Sequence, residues 1–116
     1  MRRAKALTVD PKWLVDSFVY YEYLKNDEFG KSIYSDPVTI NNVRVDYSTQ
    51  FTRDKTESKV IANAVIFCFA SATTPFLAFK EQSKVTMDGK EYVIQKVVTN
   101  KEPYNDTLWS YELEVI

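Results

Sequence analysis

The run Val60 to Phe69 (VIANAVIFCF) is apolar on both faces of an extended chain, with Asn63 the one polar interruption. Its β-branched residues disfavour a short helix, so it is expected to form a strand covered on both sides. That demand is hard to meet in a small protein. The chain has 116 residues, enough for one domain of about 100–150 residues. A sheet of so few residues covers both faces of an inner strand by curling, so a small barrel or sandwich is expected. Composition agrees: 45% hydrophobic and 27% charged residues exclude disorder as the default state. The chain carries eight Tyr, seven Phe and two Trp against only two Gly and four Pro, a balance that favours strands.

Asp10-Pro11 reads as a helix start, with Asp capping and Pro at the first helical position. A short helix from Pro11 to about Val15 is expected, with Trp13 and Leu14 facing inward. Val19, Tyr21 and Tyr23 alternate with Tyr20, Glu22 and Leu24 in a strand covered on both sides. Residues 25–31 read as a loop or hairpin connection. Beyond Asp36-Pro37, Val38 and Ile40 share even parity, whereas Val43, Val45 and Tyr47 share odd parity. The switch across Asn41-Asn42 predicts a bulge or tight turn there, because one extra residue moves every later side chain to the other face.

Ser48 to Lys59 (STQFTRDKTESK) has no apolar periodicity and is expected to be a long charged loop. Ser71 to Pro75 ends the apolar strand, and Pro75 to Phe79 is expected to be a loop pinned by apolar contacts. Asp88-Gly89 between Val85-Thr86-Met87 and Lys90 to Ile94 predicts a tight hairpin with positive φ, its second strand running on through Val98. After a polar connection from Asn100 to Thr107, Trp109, Tyr111, Leu113 and Val115 alternate with Ser110, Glu112 and Glu114. This predicts a final strand with its odd face in the core. The expected fold is therefore mainly β: a small barrel or sandwich of five to six mostly antiparallel strands, with one short N-terminal helix and a long charged loop. It forms a single domain, with residues 1–9 open to disorder.

Charge and sulfur narrow the function classes. Fifteen basic and sixteen acidic side chains leave a net charge of −1, without the basic excess that a general nucleic-acid binder uses to displace counterions. The chain has no His, and so lacks the commonest general base and metal ligand. One Cys forms no intrachain disulfide and no multi-cysteine zinc site. No secretory signal or membrane-length apolar run is visible, so a soluble intracellular protein is expected, with no cofactor and no membrane partner.

Three constellations come closest to chemistry. Cys68 lies between Phe67 and Phe69 with no His to activate it, and reads as a small buried hydrophobe. Glu112 and Glu114 share one face of a strand and could hold a metal or share a proton, but surface strands carry such residues for solubility. Asp54 and Glu57, beside Arg53 and Lys55, read as a solvated loop of mixed charge. Tyr20, Tyr21 and Tyr23 could stack on single-stranded nucleic acid, which is the alternative function for a small barrel. Lys12, Lys25 and Lys31 nearby are offset by Asp16, Glu22, Asp27 and Glu28, so core or protein-interface tyrosines are favoured.

Two stretches carry a resemblance. The first is Asn42-Val43-Arg44-Val45-Asp46 with Ser48-Thr49, Arg53-Asp54 and Ala62-Asn63-Ala64-Val65-Ile66-Phe67. The second is Phe79-Lys80-Glu81-Gln82-Ser83-Lys84-Val85 with Asp88-Gly89-Lys90-Glu91-Tyr92 and Tyr111-Glu112-Leu113-Glu114-Val115-Ile116. In combination, from about Pro11 to Ile116, they resemble the minor capsid proteins of tailed phages and prophages of Gram-positive bacteria. Trp109-Ser110 departs from that pattern, where histidines tend to precede the Tyr. The resemblance implies a non-enzymatic virion protein of the head–tail connector, similar to stopper or head-completion proteins and assembled in the bacterial host cytoplasm. It implies as partners other copies in a ring, portal or adaptor and tail-side connector proteins, and non-specific contact with packaged DNA. It also implies that the segment holding Thr49, Gln50, Phe51, Arg53, Asp54, Lys55, Glu57 and Lys59 reaches the channel or a neighbouring subunit.

Overall fold

The computed structural model describes residues 10–47, 50–53, 58–103 and 106–116. Ten strands follow one another: β1 (Asp16–Tyr21), β2 (Tyr23–Asn26), β3 (Ser32–Tyr34), β4 (Val38–Asp46), β5 (Gln50–Arg53), β6 (Ser58–Ala62), β7 (Ala64–Phe69), β8 (Lys84–Met87), β9 (Lys90–Lys101) and β10 (Leu108–Val115). Six of them close an antiparallel barrel in the order β1-β4-β7-β10-β9-β8. The other four form two separate hairpins, β2–β3 and β5–β6.

Closure solves the problem posed by the apolar run. Ala64, Val65, Ile66 and Cys68 of β7 are buried, between β4 on one side and β10 on the other. Phe18, Ile40, Val43, Val85, Ile94, Leu113 and Val115 fill the interior from the remaining barrel strands. Each such side chain contributes about 1.5–3 kcal/mol when taken fully out of water. The run is nevertheless not one strand. Asn63 is an exposed bend between β6 and β7, and its N–H donates to the Val115 carbonyl at 2.7 Å.

The parity switch at the Asn pair is a bulge. Asp16 pairs with Val43 and Ser17 with Asn41, which leaves Asn42 without a partner on β1. Asn42 sits at φ 61, in the left-handed region that Asn tolerates better than most residues. Its carbonyl accepts the Thr73 hydroxyl at 2.9 Å and its amide donates to the Ala72 carbonyl at 3.2 Å. The loop after β7 thereby seats on the bulge, and Val43 returns to the core. At the other end of the chain Asp88 (φ 48) and Gly89 (φ 75) make the tight β8–β9 turn, with Met87 paired to Lys90.

Several expectations are corrected. The N-terminal helix is a single 3-10 turn, Pro11–Trp13, closed by one bond from the Trp13 N–H to the Asp10 carbonyl. Asp10 does cap it, accepting the Lys12 N–H at 3.0 Å. Leu14 is buried but Trp13 is 59% exposed, because β1 begins three residues after Trp13 and draws the chain straight. Ser48 to Lys59 is not an irregular loop over its described residues. It holds β5 and the start of β6, paired from Gln50↔Ala62 to Arg53↔Ser58. Lys25 and Asn26 belong to a strand, and β9 continues to Lys101. In β10 the odd face is in the core at Leu113 and Val115. The β9 register, however, skips Trp109, so Ser110 is buried and Trp109 only half-buried.

Candidate assembly surface

The tyrosines flagged in the sequence divide in space. Tyr20 is 2% exposed and lies in the core, edge-on to Phe79 with ring centroids 5.1 Å apart. Its hydroxyl meets Ser83 Oγ at 3.2 Å and accepts the Lys80 N–H at 2.9 Å. Burial raises its phenol above the ordinary value, while the bonds to Ser83 and Lys80 oppose that shift. Tyr20 is therefore no surface contact. Tyr21 and Tyr23 are half-buried. Lys84 Nζ lies 4.3 Å from the Tyr21 ring centroid and 5.2 Å from that of Tyr34. Lys80 Nζ donates to the Tyr23 carbonyl at 2.9 Å and sits 5.8 Å from its ring. These lysines are held against the rings by cation–π attraction, so the three tyrosines do not make one open stacking platform.

The β2–β3 hairpin grows from this cluster. The Tyr23 N–H donates to Ser83 Oγ and the Ser35 N–H to the Glu22 carbonyl, both at 2.9 Å, which fixes the hairpin base. Asp27 builds the tip: its carboxylate accepts the N–H groups of Phe29 and Lys31 at 2.8 and 2.9 Å. Gly30 completes the turn at φ 83, a conformation that costs glycine little. The result holds Phe29 outward, 83% exposed. The hairpin connection expected over residues 25–31 is thus present, but that expectation does not single out Phe29. The Asp27-x-Phe29-Gly30 pattern, an Asx turn followed by glycine, is the signal that reveals it.

The segment carrying the remaining site residues leaves the barrel between β4 and β7. Gln50, Phe51, Arg53 and Lys59 lie in the β5–β6 hairpin, while Thr49, Asp54, Lys55 and Glu57 lie outside the described residues. Below Tyr23 an open cleft of about 560 Å³ is lined by Phe79, Lys80, Glu81, Gln82, Val97, Thr99 and Tyr111.

Two of the chemical candidates, Cys68 and Glu112, are absorbed into structure, while Asp54 and Glu57 lie outside the described residues. Cys68 is fully buried, and burial pushes its thiol well above the ordinary value, away from the reactive thiolate. Glu112 accepts a bond from Asn100 Nδ2 at 2.8 Å, and the same amide reaches Ser110 Oγ at 3.1 Å. No group of three metal-ligating side chains occurs among the described residues. No helix among them is long and apolar enough to cross a membrane.

Comparison with known proteins decides the family. The pattern of the family described as minor capsid protein matches residues 11–115. This chain belongs to the minor capsid protein family. It is also 25% identical over 95 residues to the uncharacterized protein ORF5 of Lactococcus phage LL-H, covering 79% of this chain and 80% of that one. The family points to a structural component of a virion, and the relative is a phage protein. The family match spans the barrel and both hairpins, so the arms belong to the family's shared region together with the core.

Proposed function

We propose that this minor capsid protein is a ring-forming connector subunit of stopper or head-completion type at the phage head–tail junction. The observation that carries the reading is the family match along residues 11–115. The architecture supports it. A closed barrel gives a rigid body, and two hairpins extend from it as candidate contact arms. The stretch of sequence with Thr49, Gln50, Phe51, Arg53, Asp54, Lys55, Glu57 and Lys59, to which β5 and the start of β6 belong, reaches the DNA channel or the adjacent subunit. The β2–β3 arm presents Phe29, with Tyr21 and Tyr23 at its base. Exposed aromatic residues of this kind serve as anchors in protein interfaces.

In this role the chain contacts copies of itself around the ring, portal or adaptor proteins on the head side and tail-joining proteins below. Contact with packaged DNA is non-specific, and the net charge of −1 lets a duplex pass without tight capture. The protein is made and assembled in the host cytoplasm and ends in the virion. Deleting the gene from an inducible phage genome tests this. The lysate is expected to hold heads and tails that fail to join, with infectious titre lost and restored by a plasmid copy. Normal tailed particles from the deletion strain would overturn it.

A further inference from the structure

The barrel wall is incomplete along one half of β9. Its partner β8 pairs only from Lys90 to Val93, and Gln82 and Ser83 extend that side by two bonds to Ile94. On its other side β9 pairs with β10 all the way to Lys101. The β9–β10 register slips between Ile94 and Lys96, leaving Gln95 as a bulge. Val93 exchanges both main-chain bonds with Ile116. Residues alternate their main-chain direction along a strand, and the bulge inverts that alternation. Lys96 and Val98 then face β10, and the N–H and C=O groups of Val97 and Thr99 face away from it. The Val97 N–H confirms the direction, meeting only the Glu81 carboxylate at a long 3.4 Å. Val97 and Thr99 line the cleft described above. Among the described residues, no main chain pairs with them on that side. An open edge beside a cleft is a place for strand addition.

The chain carries a matching donor. The β5–β6 hairpin is a two-stranded sheet of its own, and among the described residues β5 pairs only with β6. A two-stranded hairpin is marginal in water and gains by acquiring a third strand. It cannot readily serve its own β9 edge. It joins the barrel where Ala64 pairs with Val115, beside Ile94, at the start of β7. The open edge lies beside Tyr111 and Ser110, which pair with Cys68 and Phe69 at the end of β7. Donor and acceptor thus sit at opposite ends of the barrel wall, which is the layout of a head-to-tail contact that closes into a ring.

We infer that the β5–β6 hairpin of one copy adds through β5 to the open β9 edge at Val97–Lys101 of the next copy. The added strand displaces the Glu81 carboxylate from Val97 and fills the cleft. This rests on the ring reading above and deepens it.

Disulfide capture in virions tests it. Phage are grown with Thr52→Cys and Thr99→Cys together, with each single variant and the unsubstituted chain as controls; Cys68 is buried and stays silent. Mild oxidation of purified particles is expected to give a ladder of covalent multimers from the double variant alone. Thr99→Lys, a charge on the exposed edge, is expected to lower incorporation into particles at least tenfold while the purified chain keeps its melting temperature. Should electron microscopy show the ring in place, yet no ladder form and Thr99→Lys incorporate normally, the strand-addition contact is overturned and the ring reading stands. Should there be no ring at all, both fall.

Discussion

Asn42 and Tyr20 show how single residues set this fold. Asn42 occupies φ 61 and holds two bonds to the 72–73 segment. Asn42→Val places a β-branched side chain in the left-handed region, at a cost of about 1–2 kcal/mol from backbone sterics, and loses the amide bond as well. Chemical denaturation should show at least that loss, whereas Asn42→Gly should lose less. Tyr20→Phe keeps the ring against Phe79 but leaves Ser83 Oγ and the Lys80 N–H short of a partner. A destabilisation of about 1–3 kcal/mol is expected for buried groups left unpaired, and a variant as stable as the parent would contradict the assigned bonds. Tyr47 gives a pH signature. Its hydroxyl donates to the Asp88 carboxylate at 2.7 Å, and that bond, with burial second, raises its phenol from 10.0 to about 12. A raised pKa means that the folded state favours the protonated phenol. The stabilisation is complete below about pH 10 and is lost as pH rises toward 12. Tyr47→Phe should therefore flatten the fall in stability across that window, read by thermal melts at stepped pH.

At the scale of elements, the two hairpin arms form sheets separate from the barrel. Replacing Ser48 to Lys59 with a short glycine-serine link removes β5 and the start of β6 but none of the core side chains of β4, β7 and β10. The shortened chain is expected to keep its far-ultraviolet circular dichroism per barrel residue and a cooperative melt, yet to fail in complementing a gene deletion. Loss of cooperative folding would mean that the hairpin holds the barrel shut. The barrel strands were legible because alternation, a parity switch and an Asp-Gly turn are local signals. The odd face of β10, the Asn42 bulge and the 88–89 turn all follow from them. The β5–β6 hairpin was not legible. Its sequence lacks apolar alternation, and the pairing of one strand with another is not a local signal that a sequence pattern carries. The N-terminal turn misled for the opposite reason: Asp10-Pro11 signals where a helix starts but not how long it lasts, and β1 overrides it at once. The Phe29 tip lies in a polar stretch without apolar alternation, and only the turn chemistry of Asp27 and Gly30 marks it.

For the whole molecule, the proposed role divides the barrel, as scaffold, from the hairpins and the β9 edge, as contact surfaces. Its interior is filled by hydrophobic side chains, and the features left over among the described residues are an exposed Phe29, a hairpin paired only within itself and an unpaired strand edge. These suit a virion protein whose work is contact with other subunits. The measurement that tests this most directly is a cryo-electron microscopy reconstruction of the intact virion's neck. The expected density is a closed ring at the head–tail junction, each unit a six-stranded barrel with its β5–β6 hairpin lying against the next unit or the channel. Barrels found instead on the outer head shell or along the tail tube, without lateral contact between copies, would contradict the connector role.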